Sequence, residues 1–157
     1  MTLQGDKGYR AIVRTARGAI TIDLLASVAP VTANNFVFLA REGYYEGSSF
    51  HRVVPGFIAQ GGDRTGSGRG DPGYRIPDEL SDTTFEAGTV GMANAGPNSN
   101  GAQFFVVLED APHLNGRFSA FGRVTEGLEL LRSLEGRDPD HDRAPGERIE
   151  SIEVVEF

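Results

Sequence analysis

Arg52 and Gln60 are out of keeping with their surroundings. They lie in FHRVVPGFIAQGG, residues 50–62, among valines, phenylalanines and an isoleucine, with Gly61 and Gly62 closing the run. With a period of two, Phe50, Arg52 and Val54 share one face of a strand, which sets a guanidinium into an apolar row. An edge strand with its polar residues turned to water is the bland explanation. The other is chemistry: a charged group among large apolar side chains is either paired or at work.

Other patterns that carry chemistry fail on context. The chain has no cysteine, which excludes disulfides and thiolate catalysis. His51, His113 and His141 share no close spacing, and His141 lies in a charged stretch, so no metal site is expected. No GxSxG nucleophile elbow is present. Residues 68–73, GRGDPG, match the dinucleotide pattern GxGxxG, but that pattern needs a helix to start at its end and hold pyrophosphate. Pro77 follows too closely for such a helix. The adhesion tripeptide Arg69-Gly70-Asp71 is too short to carry information.

The elements that must position Arg52 and Gln60 are mostly strands. Tyr9–Thr15 and Ala19–Leu25 form a predicted hairpin around Ala16-Arg17-Gly18, with Ile20, Ile22 and Leu24 on one buried face. A helix is predicted after Pro30, with Thr32 as N-cap, Phe36, Leu39 and Ala40 on one face, and Gly43 at its end. Further strands are expected at Ser49–Pro55, Phe57–Gly61, Thr89–Asn94, Gln103–Leu108, Phe118–Val124 and Ile149–Phe157. Glu126–Leu134 reads as a short helix, with Leu128, Leu131 and Leu134 on one side. The glycine-rich stretch Gly62–Gly73 and the charged stretch Arg137–Gly146 read as loops. About eight strands and two helices point to a mainly β chain: a closed β-barrel capped by two α-helices.

Composition sets the outer limits. A chain of 157 residues, 39% hydrophobic and 24% charged, fits a single globular domain over residues 1–157. A net charge of −7 argues against a nucleic-acid surface. The N-terminal stretch MTLQGDKGYRAIVRTARGAITIDL has no uninterrupted apolar region, and no segment approaches membrane-span length. A cytoplasmic monomer without membrane partners is the expectation.

A second stretch, MANAGPNSNGAQFFVV at residues 92–107, decides between the readings of the first. Together with FHRVVPGFIAQGG and FGRVTEGLELL it makes the chain resemble the cyclophilins, a family of peptidyl-prolyl cis/trans isomerases, over nearly its whole length. The resemblance implies an eight-stranded antiparallel barrel with a helix over each end. It also implies rotation about X-Pro bonds in proline-containing peptides and folding proteins, with no cofactor. Arg52 matches the family's catalytic arginine and Gln60 the residue that holds it in place. Phe57, Ile58, Phe105 and Leu114 match the wall of the proline pocket. Asn94 matches the position whose backbone holds the substrate carbonyl, Ala93, Ala95 and Gln103 line the groove beside it, and His51 supports the floor.

Three positions depart from the family pattern. His113 stands where many cyclophilins carry a tryptophan, Phe118 where many carry a histidine, and Ile58 where methionine is common. The change at Ile58 nearly conserves volume. The other two touch the pocket rim rather than the bond-twisting machinery, so the resemblance implies retained isomerisation and weak cyclosporin binding. A module that binds proline-containing segments without turnover is the competing reading, and it has no use for Arg52. A metal- or nucleotide-dependent enzyme is left without a motif.

Overall fold

The computed structural model describes Leu3 and residues 7–157. Residues 1–2 and 4–6, part of the stretch read for a targeting segment, lie outside the described residues.

Strands β1 (Tyr9–Thr15) and β2 (Gly18–Leu24) form the N-terminal hairpin, one residue earlier in its second arm than expected. Thr15 faces Gly18 across the turn, where Gly18 at φ 134° adopts a backbone shape that a side chain disfavours. The alternating residues Tyr9, Ala11, Val13, Ile20, Ile22 and Leu24 are buried, as a half-buried strand pair requires.

Helix α1 (Pro30–Arg41) begins two residues before the expected cap. Pro30 takes the first turn, where its missing N–H costs nothing. Thr32 is therefore inside the helix, and capping comes from a distant residue. The Glu79 carboxylate accepts from the Val31 N–H (3.2 Å), the Thr32 N–H (2.6 Å) and the Thr32 hydroxyl (2.7 Å). A carboxylate at that end also complements the helix dipole. Gly43 at φ 73° ends the helix as expected.

The strand expected at Ser49–Pro55 is broken at His51 into β3 (Ser49–Phe50) and β4 (Arg52–Val54). β5 (Ile58–Gly61), β6 (Thr89–Met92), β7 (Phe104–Val107) and β8 (Ala120–Glu126) follow. Gly127 at φ 95° then turns the chain into α2 (Leu128–Arg132), which keeps Glu126 in the strand and shortens the expected helix. β9 (Glu147–Arg148) and β10 (Ser151–Glu156) close the chain.

Eight strands form one antiparallel sheet in the order β10-β1-β2-β8-β6-β7-β5-β4, and it curls into a barrel-like shape with α1 and α2 packed against it. The expected closure is overstated: among the described residues, β10 and β4 are edges that do not pair with each other. The break at His51 takes β3 out of the main sheet to pair with β9 as a separate two-stranded ribbon. The edge of β4 is covered by Arg137, which exchanges two 2.9 Å backbone hydrogen bonds with Val53.

The strand β7 sorts the interior. Phe104 and Val106 join the main core, while Phe105 and Val107 belong to a second apolar cluster with Ile58, Phe85, Ala111, Leu114 and Ala120. All four residues of β7 are buried because both of its faces are covered. A central strand of this kind reads as a continuous apolar run, FFVV, with no alternation.

Candidate active site

Directly opposed residues of an antiparallel sheet project from the same face. Arg52 on β4 faces Gln60 on β5, Gln60 faces Phe105 on β7, and Phe105 faces Gly91 on β6. One row across four strands therefore carries a cationic donor, an amide, an aromatic ring and a residue with no side chain. The missing side chain matters: a Cβ at Gly91 would lie 2.7 Å from the Phe105 ring and 2.9 Å from that of Phe85. Gly91 makes the space in which Phe105 lies.

This row opens onto a cavity of about 290 Å³ lined by Arg52, Phe57, Ile58, Gln60, Ala93, Asn94, Phe105, Leu114 and Phe118. Residues expected to form the site from separate stretches of sequence thus meet around one space. Phe105 packs parallel to Phe85 at 5.8 Å on one side and edge-on to Phe118 at 5.4 Å on the other. Leu114 arrives from a 3₁₀ turn, Pro112–Leu114. Arg52 is exposed at the lip, and among the described residues its side chain forms no ion pair or hydrogen bond.

A relay of amides fixes Gln60. The Gln103 NH₂ donates to the carbonyls of Gly68 and Gly70, each at 3.0 Å, so its Oε1 is the end left to accept. Gln60 donates its NH₂ to that oxygen at 3.0 Å. The remaining polar atom of Gln60 is its own Oε1, an acceptor on the strand facing Arg52. No hydrogen bond joins the two side chains among the described residues, so the contact implied by the resemblance is not made in this conformation.

The carbonyls that start the relay are held by Asp63, which is fully buried. Its carboxylate accepts from the Thr65 N–H and hydroxyl and from the N–H groups of Gly68 and Gly70. Burial alone would push this carboxyl up, but those hydrogen bonds outweigh it and hold the pKa down. The loop Gly62–Gly73 is without regular structure, as its glycines suggest, yet it is organised around one carboxylate.

Four expected site residues stand outside the cavity wall. Ala95 and Gln103 line an adjoining cavity of about 330 Å³. His113 is exposed and stacks on Phe57 at 5.4 Å, which places it at the rim. His51 is 1% exposed, and among the described residues neither ring nitrogen is within full hydrogen-bonding geometry of a partner. Burial lowers its pKa, with the charge of Asp63 pulling weakly the other way. Among the described residues no group of three or more His, Asp or Glu could hold a metal ion, and no helix is long and apolar enough to cross a membrane.

The family model described as cyclophilin type peptidyl-prolyl cis-trans isomerase/CLD matches residues 10–154. The chain belongs to this family. A peptidyl-prolyl cis-trans isomerase of Synechococcus elongatus is 43% identical over 148 residues, covering 93% of this chain and 96% of that one. Peptidyl-prolyl cis-trans isomerase B of Bacillus subtilis is 48% identical over 121 residues, 76% of this chain and 85% of that one. The crystal structure of a Cryptosporidium parvum cyclophilin superposes with a TM-score of 0.86 at 32% identity, covering 94% of this chain and 98% of that chain. A second structure of that protein, in the presence of the dipeptide Ala-Pro, gives 0.81 at 32% identity over 91% and 96% of the two chains.

This cyclophilin is therefore an isomerase of prolyl peptide bonds, acting on proline-containing peptides. Reading the sequence had passed over Gly91, Phe85 and Asp63. An isolated glycine inside a strand pattern is a signal of close approach, so Gly91 could have been found. Asp63 gave no such signal, because its partners are backbone groups of a loop.

Proposed function

We propose that Arg52 is the catalytic donor of this isomerase and Gln60 its positioning residue. A charged, planar donor whose side chain has no partner among the described residues stands at the lip of an apolar cavity, directly across from an amide whose orientation is fixed. That observation carries the reading.

Rotation about an X-Pro bond passes through a twisted state about 18–20 kcal/mol above the planar one. In the planar state the proline nitrogen shares its lone pair with the carbonyl. In the twisted state the nitrogen is pyramidal and the lone pair is localised. An N–H of Arg52 directed at that nitrogen gains a hydrogen bond only in the twisted state, and a difference of that kind lowers the barrier. Phe105, with Phe57, Ile58 and Leu114, grips the proline ring, and the Asn94 backbone holds the substrate carbonyl while the rest of the chain turns. The Gln60 Oε1 accepts from the guanidinium once substrate draws Arg52 inward. No proton changes hands, since a guanidinium stays charged.

Its substrates, in this reading, are unfolded and folding chains, met by a single-domain monomer in the cytoplasm, without cofactor, nucleic-acid or membrane partners. The open cavity, the absence of cysteine and the net charge of −7 support it. With His113 and Phe118 at the rim, cyclosporin binds weakly.

Replacing Arg52 by Ala should lower kcat/KM in a protease-coupled proline isomerisation assay by about 10²–10³, the loss typical for one preorganised donor. Arg52→Lys should also be poor, because an ammonium lacks the planar fork. A folded Arg52→Ala protein with native turnover would sink the mechanism.

A further inference from the structure

Asn94 lies in the loop between β6 and β7, and among the described residues its backbone N–H and C=O have no partner. Its side chain is committed at both ends. The oxygen accepts from the Gly96 N–H at 3.3 Å, and the NH₂ donates to the Asn100 side-chain oxygen at 3.2 Å. Asn100 is fully buried, and its own NH₂ donates to the Asp78 carboxylate at 3.0 Å and the Ser119 hydroxyl at 3.4 Å. An ionised carboxylate can only accept. Asp78 therefore sets which end of the Asn100 amide faces it, which leaves the Asn100 oxygen toward Asn94 and turns the Asn94 oxygen toward Gly96. Both amides take their sense from one carboxylate. Its second oxygen accepts from the Asn98 N–H at 3.1 Å, and the Asp78 N–H donates to the Asn98 side chain at 2.9 Å. This reciprocal pair holds Asn98 at φ 55°, a left-handed conformation that few side chains tolerate. Asp78 is placed in turn by its neighbour: Glu79 caps α1 with its carboxylate and donates its N–H to the Ser119 hydroxyl at 2.8 Å.

We propose that Asp78, acting through Asn98 and Asn100, is the positioning residue for the backbone of Asn94. The proposal rests on the reading above, in which that backbone holds the substrate carbonyl while the rest of the chain turns. A contact kept through the turn is made to the planar and the twisted states alike, so it contributes binding and leaves the barrier where it was. Loss of Asp78 therefore raises KM and spares kcat, the opposite of what loss of Arg52 does. A carboxylate that served the fold alone would lower the folded fraction and leave KM untouched.

The test is steady-state isomerisation of a capped proline-containing tetrapeptide. Asp78→Asn keeps the size of the side chain but offers a single accepting oxygen where two donors each need one. KM should rise about three- to tenfold, the worth of one hydrogen bond, with kcat per folded molecule unchanged. Asp82→Asn, which alters an exposed carboxylate on the same segment, should change neither. Asn98→Gly keeps a backbone suited to positive φ and removes one bond of the reciprocal pair, so KM should rise about twofold. It carries the test if Asp78→Asn does not fold. Native KM in the folded variant, or a loss carried by kcat, would overturn the proposal. Amide chemical shifts of isotope-labelled protein separate it from the reading beneath it. Saturating peptide should shift the Asn94 amide of the native protein. An Asn94 amide indifferent to peptide overturns the carbonyl-holding role, and the proposal with it. A responsive amide together with native KM in the variant overturns the role of Asp78 alone.

Discussion

Phe104 and Phe105 occupy consecutive positions on β7, and the two-residue period of the strand sends them to opposite faces. Phe104 is met edge-on by Phe36 at 5.5 Å, Tyr45 at 5.7 Å and Phe50 at 6.2 Å, inside the main core. Phe105 has aromatic neighbours on two sides and an open cavity of about 290 Å³ in front of it. Both rings are almost wholly shielded from water, at 0% and 4% exposure. Burial alone does not distinguish a structural ring from a binding ring. What distinguishes them is whether a packing partner is supplied by the chain itself or by the substrate.

The sharpest way to break this comparison is to truncate each ring. Phe104→Ala should cost about 3–5 kcal/mol of stability, since the core cannot close over the lost ring. Phe105→Ala should cost only about 1–2 kcal/mol, because water can enter the enlarged cavity, and its main effect should be a raised KM. Denaturant titration and steady-state turnover on both variants decide it. Equal stability losses would mean that the two faces are one core.

A smaller effect is expected at the rim. His113 stacks on Phe57 but leaves less apolar area than an indole, and its donors sit elsewhere on a smaller ring. His113→Trp should tighten cyclosporin by some thirtyfold, about 2 kcal/mol, the usual worth of one interface anchor. Turnover should change little. If the native protein is inhibited as tightly as the variant, the rim has been misread.

Gly91 tests the comparison from behind the ring. A methyl group there overlaps Phe105 and Phe85, and forcing extra volume into a packed site commonly costs about 1–3 kcal/mol. Gly91→Ala should lie near the low end, about 1 kcal/mol, because Phe105 can tilt into the open cavity. The tilt narrows the space for a proline ring, so KM should rise several-fold. A stability loss without any change in KM would show that the ring moves away from the cavity.

These residues also show what the sequence could convey. The row Arg52–Gln60 was legible because polar residues in an apolar run are conspicuous, and the cavity wall followed from the family resemblance. The open seam was not legible, because it depends on His51 interrupting a run that has every local mark of one strand. Nor was the cap of α1. Thr32 has the right chemistry for an N-cap, but Pro30 pre-empts the first turn, and the carboxylate that serves the helix comes from Glu79, forty-seven positions away. Local patterns report which residues an element contains. They do not report which distant group completes it.

The smallest effect concerns His51, which lies beneath Gly68 and borders Arg52 and Gln60 without lining the proline cavity. Burial is the main cause of its lowered pKa. In the unfolded chain it titrates near its ordinary value of about 6.5. As pH falls through that value, the unfolded chain takes up a proton that the folded chain refuses. Stability is therefore complete above that value and declines as pH falls toward the folded-state value. Asp63, also lowered, adds a loss of the same sign in a more acidic window, below the ordinary carboxylate value. Urea midpoints should therefore fall between about pH 7.5 and about pH 5, and His51→Gln should flatten that upper part of the profile. Turnover per folded molecule should stay level over the same range, because the proposed donor is a guanidinium and no proton is transferred. A fall in kcat/KM with the folded fraction unchanged would place a titrating group in the catalytic step, and His51 would be the first to test.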